Sequence, residues 1–161
     1  MARVLIPLAE GCEELEAVTV IDLLRRAGIE VVAAGLNEGP VRCSRGTVLV
    51  PDRALEEVID EEFDMVVLPG GLPGSQHLDA DERIHRLLRR YHAEDRYAAA
   101  ICAAPKVLAN AGLLAGRAAT SYPGAVTIED FPEVDLLDVP VVVDGKVITS
   151  RGPGTAMDFA L

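Results

Sequence analysis

Cys102 lies where an apolar run gives way to a helix-forming one, in Ala98-Ala99-Ala100-Ile101-Cys102-Ala103-Ala104-Pro105-Lys106. Pro105 suits the first turn of a helix, so the spacing predicts a strand-to-helix bend with the cysteine on it. A sulfur at that place faces free backbone N–H groups and the positive end of a helix dipole, which favours a reactive thiolate. It also stands above strand ends, where open α/β sheets bind ligands. The small neighbours Ala100, Ala103 and Ala104 leave the bend accessible.

Two further segments could supply partners. Asp64 to Leu68 is an apolar run that enters Pro69-Gly70-Gly71-Leu72-Pro73-Gly74, where bare backbone N–H groups can approach an oxyanion. Its spacing matches neither a dinucleotide fingerprint nor a phosphate loop of the G-x-x-x-x-G-K-[ST] kind. Helical periodicity from Glu13 puts Ala17, Val20, Leu23, Leu24 and Ala27 on one face, with Glu13 and Glu16 both tending toward it. A carboxylate so placed is partly desolvated and suited to acid–base work near neutrality. Periodicity does not choose between the two, and complementing the helix N-terminus is the commoner role for either. His77, His85 and His92 fall in or near a polar helical stretch and read as a solvated face. Ser150-Arg151-Gly152-Pro153-Gly154-Thr155 reads as a strand end, two glycines and a helix cap on the same sheet edge.

The elements that must hold these residues follow from the apolar pattern. Val4–Leu8, Ile29–Ala34, Met65–Leu68 and Ala98–Ile101 read as buried strands, alternating with helices over Glu13–Ala27, Leu55–Asp60, Asp81–His92 and Pro105–Ala111. Gly28 and Gly112 close the first and last of these helices. Such alternation predicts an α/β domain with a mainly parallel sheet covered on both faces. Two β-hairpins, over Val41–Pro51 and over Val139–Thr149 turning at Asp144-Gly145, read as insertions on that core. With 161 residues and 50% hydrophobic content, one domain with one sizeable core is expected. The last residues, Phe159-Ala160-Leu161, stand about a turn and a half into a helix, so a further C-terminal helix is expected to be missing.

Composition narrows the function. Twenty-six acidic against 15 basic residues give a net charge of −11 without a Lys/Arg cluster, which disfavours nucleic acid and anionic lipid as partners. No apolar run nears the ~18 residues of a membrane span. Cys12, Cys43 and Cys102 are odd in number and lack a CxxC, so neither a disulfide framework nor a metal site is expected, and a cytoplasmic setting is.

Gly11 to Glu16 (GCEELE), Cys43 to Gly46 (CSRG), Val66 to Gly71 (VVLPGG), Ala99 to Pro105 (AAICAAP) and Ser150 to Thr155 (SRGPGT) together resemble, in order along the chain, the superfamily of DJ-1, ThiJ and PfpI. The Cys-Ala-Ala-Pro segment most resembles the bacterial ThiJ-type branch near the Parkinson's-associated DJ-1. The resemblance implies a flavodoxin-like three-layer sandwich, a homodimer, no cofactor, and a low-pKa cysteine that oxidises readily to the sulfinate. It places the family's protonated, cysteine-bonded glutamate on Glu16, and oxyanion-facing backbone groups on Gly70, Gly71 and Ala103. Arg26 and Arg45 match arginines near the dimer interface, and Gly152 and Pro153 match residues bordering the pocket. Where eukaryotic relatives carry a histidine in a T-x-H-P segment, this chain has Thr120-Ser121-Tyr122-Pro123, so Tyr122 replaces an imidazole that could assist proton transfer. The family's C-terminal helix commonly covers the pocket and joins the dimer contact.

The function implied is a stress protein with deglycase or glyoxalase-type activity toward methylglyoxal or its early adducts, its partners small carbonyl compounds or glycated proteins. A redox-sensing holdase chaperone without significant turnover is the alternative. A cysteine peptidase or amidase is remote, because that branch resembles C-H-G and this chain has Ala103 after the cysteine.

Overall fold

The computed structural model describes residues 2–161. Eleven strands and six helices alternate along it: β1 (Arg3–Leu8), α1 (Glu14–Arg26), β2 (Glu30–Gly35), β3 (Val41–Arg42), β4 (Val48–Leu49), β5 (Arg53–Ala54), α2 (Leu55–Val58), β6 (Met65–Leu68), α3 (Leu72–Ala80), α4 (Glu82–Ala93), β7 (Tyr97–Ile101), α5 (Pro105–Asn110), β8 (Ala118–Ala119), β9 (Asp135–Leu136), β10 (Val141–Asp144), β11 (Val147–Ser150) and α6 (Ala156–Ala160). The main sheet has the order β10-β11-β7-β6-β1-β2-β5, parallel throughout except for the β10–β11 pair. This is the α/β sandwich expected from the sequence.

Each face of the sheet buries its own set of apolar side chains. Leu78, Ile84, Leu88, Tyr91 and Leu108 of α3, α4 and α5 pack on one face. Ala17 and Val20 of α1, together with Cys12, Cys43 and Phe159, pack on the other. The central strands are consequently apolar on both sides, as their unbroken Val/Ile/Leu/Ala runs require. Because β1 pairs with β2 on one side and with β6 on the other, the strand order reverses between β1 and β6. Ligand sites of open α/β sheets lie beyond the strand C-termini at such a reversal. The segments after β1, β6 and β7 all end there.

Four local expectations need correction. The 139–149 hairpin is not an insertion: β11 pairs with β7 in parallel, so β10 and β11 extend the main sheet. The β3–β4 hairpin does stand apart as its own small sheet. Helix α3 went unread because Leu72-Pro73-Gly74 reads as a turn, yet Pro73 fits the first helical turn, where its missing N–H costs nothing. His85 is not on a solvated face: it is buried, with Nε2 at 2.7 Å from Asp79 O and 3.0 Å from Asp79 Oδ1. Thr155 does not cap α6 with its side chain; its hydroxyl turns back to the Gly152 N–H at 3.1 Å and to Ser150 Oγ at 2.7 Å. Glycine is needed at the ends of α1 and α5, where Gly28 and Gly112 adopt φ of +80° and +88°.

Candidate active site

The site is built where three strand ends meet. After β1 the chain turns through Gly11 and Cys12 to Glu13, which caps α1 by accepting hydrogen bonds from the N–H groups of Leu15 and Glu16. The Glu13 N–H in turn donates to Gly70 O at 3.0 Å, locking the start of α1 onto the segment after β6. This contact needs bare backbone. A Cβ on Gly71, itself at φ +87°, would stand 2.5 Å from Gly11 O and 2.7 Å from Glu13 N. A Cβ on Gly74 would meet Cys12 Cα at 2.5 Å.

That docking settles which glutamate enters the site. Glu13 serves as the cap, and Glu16, one turn on, is fully buried. Its Oε1 accepts the Gly70 N–H at 2.8 Å, while its buried Oε2 has no nitrogen or oxygen partner. A Cβ on Gly70 would lie 2.5 Å from Glu16 Oε1 and 2.6 Å from Cys102 Cβ, so the carboxyl and the cysteine meet across the space this glycine leaves.

Cys102 directly follows β7 with φ +66°, a left-handed conformation uncommon for a residue with a side chain. Its N–H donates to Ser150 O at 2.9 Å and its carbonyl accepts from Tyr122 N at 2.8 Å, so β11 and the 120–123 segment hold the bend from both sides. Strain so over-determined is typical of functional positions. The half-buried thiol has the backbone N–H groups of Gly71 and Ala103 and the Glu16 carboxyl as its polar neighbours.

Electrostatics depart from the expectation of a simply acidified thiol. Burial pushes the Glu16 carboxyl up to about 7, against the opposing Gly70 hydrogen bond. Burial, then the Glu16 charge, pushes the Cys102 thiol up to about 12, against the N–H groups of Gly71 and Ala103. The dipole of α5 does not offset this, because that helix has six residues and starts three positions after the sulfur. Two negative charges are therefore excluded near neutrality, and a thiolate requires the proton to reside on Glu16.

Gly70 also departs from expectation, because its N–H is taken by Glu16 and is not free for an oxyanion. The Gly71 and Ala103 N–H groups lie near the sulfur and act to lower its pKa. Tyr122, Gly152 and Pro153 line an open cleft of about 450 Å³ together with Arg151 and Asp138, which form an ion pair at 2.9 Å. Cys102 is not in the walls of that cleft, and Tyr122, 54% exposed, connects the two through its N–H. Arg26 pairs with Asp22 on the exposed side of α1, and the Arg45 N–H binds Glu14 at 3.0 Å, so neither reaches the site. Sequence reasoning missed Ser150, whose backbone carbonyl anchors Cys102; the signal available was only that a strand ends there.

No histidine accompanies the thiol. His77 Nδ1 lies 2.8 Å from Glu10 O, His85 is held by Asp79, and His92 is exposed near the end of α4. Among the described residues there is no cluster of three or more potential metal ligands, and no helix is long and apolar enough to cross a membrane.

A reversal-point α/β sheet with a strained cysteine backed by a buried glutamate defines a class, and comparison with known proteins identifies it. Residues 2–161 match the DJ-1/PfpI family, and the chain belongs to it. Among its relatives is Protein dj-1beta of Drosophila melanogaster, 48% identical over 98% of this chain and 84% of the relative. The crystal structure of Drosophila DJ-1beta superposes with a TM-score of 0.93 at 45% identity, covering 99% of this chain and 86% of that one. A Caenorhabditis elegans protein named glutathione-independent glyoxalase DJR-1.2 is 39% identical over 99% of this chain and 84% of its own length. Toxoplasma gondii DJ-1, in an oxidized form, has a TM-score of 0.91 at 38% identity, with 99% and 87% covered.

Proposed function

We propose that the chain is a carbonyl-stress enzyme of the glyoxalase or deglycase type in which Cys102 is the nucleophile and Glu16 the proton carrier. The observation that carries this is the Glu16–Cys102 pair itself: a buried carboxyl raised to about 7, with one oxygen fixed by Gly70 and the other free beside a thiol on a strained bend. Near neutrality the pair retains one proton on the sulfur, and the Glu16 carboxylate, its pKa about 7, is placed to take that proton as the sulfur attacks.

With methylglyoxal, the Glu16 carboxylate takes the thiol proton as the sulfur adds to the aldehyde carbon and passes it to the carbonyl oxygen, giving a hemithioacetal. The N–H groups of Gly71 and Ala103, beside the sulfur, are placed to hold the developing negative oxygen two bonds away. The Glu16 carboxylate then moves the hydrogen of the former aldehyde carbon to the neighbouring carbon while the hydroxyl proton passes to the neighbouring oxygen, converting the hemithioacetal to a thioester. Water cleaves the thioester, releasing lactate and restoring the thiol. An early protein adduct enters the same route when the Cys102 sulfur displaces the amine of a hemiaminal, or the thiol of a hemithioacetal, the leaving group taking a proton from Glu16. The name of the C. elegans relative supports this substrate class.

The test is lactate formation from methylglyoxal without glutathione. Wild type turns over at a rate that rises with pH through about 7, Cys102→Ser has no turnover, and Glu16→Gln loses at least ~100-fold. Equal lactate release by wild type and Cys102→Ser contradicts the reading. The cleft beside Tyr122 is proposed to admit the substrate, with Gly152 and Pro153 as its floor. An imidazole is not required, since Glu16 performs each proton transfer.

A redox-sensing role is the second reading, favoured by the same two N–H groups, which would also hold sulfinate oxygens on Cys102, and by the oxidized form of the Toxoplasma relative. The chain is further proposed to work in the cytoplasm as a homodimer through α1 and the β3–β4 hairpin, where Leu15, Val18, Val48 and Val50 stand exposed and Arg26 and Arg45 flank them.

A further inference from the structure

Cys12 and Cys43 lie outside the proposed chemistry, yet their sulfurs stand 3.7 Å apart. Thirty-one positions separate them in sequence. The fold brings them together because the turn after β1 and the loop of the β3–β4 hairpin are laced by backbone: Gly11 N–H donates to Arg42 O at 2.8 Å and Ser44 N–H to Cys12 O at 2.8 Å. Both side chains are buried in the core layer beneath α1, 0% and 4% exposed, with no disulfide between them. Closing the pair requires the sulfurs to approach from 3.7 Å to the ~2.05 Å of an S–S bond.

We propose that Cys12 and Cys43 are a second, reversible redox site, closing to an intramolecular disulfide that staples the start of α1 to the hairpin. The oxidant is a small two-electron acceptor such as hydrogen peroxide. Cys43 attacks the peroxide to give a sulfenic acid and one water. Cys12 then attacks that sulfur, forming the S–S bond and releasing the second water; two thiol hydrogens and two electrons have passed to the peroxide. A small thiol reverses the step by exchange. Burial keeps both thiols protonated, Cys43 with help from the charge of Glu14, so the pair remains reduced until oxidant is in excess.

The site sits directly behind the proposed active centre, because the Cys12 backbone packs against Gly71 and Gly74. Its chemistry is nevertheless separable from that of Cys102. Purified protein is treated with graded hydrogen peroxide, unfolded in urea with N-ethylmaleimide, digested without reduction and mapped by mass spectrometry. The expected result is a Cys12–Cys43 cross-linked peptide pair within a single chain, lost on prior dithiothreitol treatment and absent from both Cys12→Ala and Cys43→Ser, in Cys102→Ser as in wild type. Complete alkylation of Cys12 and Cys43 at peroxide levels that fully oxidise Cys102 overturns the proposal, as does a Cys43 cross-link between two chains. Circular dichroism melting of Cys12→Ala, whose side chain is smaller and apolar, verifies that the variant is folded.

Discussion

Glu16 is a carboxyl group in a place that tolerates no second charge. Its folded-state pKa of about 7 lies above the ordinary value of 4.5, so the native state holds the proton more tightly than the unfolded chain. The stability this proton brings is fully present below pH 4.5 and is lost as pH rises to about 7, roughly 3 kcal/mol in all. Glu16→Gln removes that dependence. Denaturant melts at pH 4.5 and 8 are expected to show wild type losing this amount relative to the variant; parallel pH profiles contradict it. The sequence made Glu16 and Glu13 equivalent by periodicity, three positions apart on one face, and only the resemblance favoured Glu16. The discriminating fact is tertiary: Glu13 caps the helix and docks on Gly70 O, which leaves Glu16 to enter the core. The raised thiol was illegible for the same reason, since burial is set by elements far apart in the chain. The left-handed bend at Cys102 had no glycine to announce it.

At the scale of elements, α1 and the segment 70–74 form one clamp, closed by glycine backbone. Gly71→Ala combines a positive φ with atoms 2.5 Å from the new carbon, and a loss of roughly 2–4 kcal/mol is expected in chemical denaturation, with slower Cys102 alkylation in the folded protein. Glu14 closes a second clamp. It accepts from the N–H groups of Arg45 and Thr47 at 3.0 and 3.1 Å, and these backbone bonds, outweighing desolvation, pull its carboxyl down to about 2. Glu14→Ala is expected to speed amide exchange at Arg45 and Thr47 by at least ~10-fold without moving exchange in β1 or β6. Unchanged exchange in that loop contradicts the clamp. The alternation of apolar runs made the four long parallel strands and their helices readable, as did the turn chemistry of both hairpins. Helix α3 and the short strands β5, β8 and β9 were not, because two to nine residues broken by Gly or Pro carry too little periodicity.

For the whole molecule, the sheet assembles at one edge three segments that the sequence scatters over 90 positions, and leaves the α1–hairpin face apolar and uncovered. Val50 is 81% exposed there. Val50→Asp is expected to shift the proposed dimer to monomer in sedimentation while preserving the fold; a wild type already monomeric at high concentration contradicts the assignment of this face.

The central claim is that Glu16 and Cys102 titrate as one pair, the carboxyl losing its proton first and its charge holding the proton on the sulfur. Thiolate absorbance near 240 nm, taken as wild type minus Cys102→Ser across pH, reads this directly. The account predicts that the wild-type thiolate appears only far above neutrality and that its midpoint moves downward in Glu16→Gln, where the opposing charge is gone. A thiolate already present near pH 7 in wild type, or a midpoint that Glu16→Gln leaves in place or raises, contradicts it.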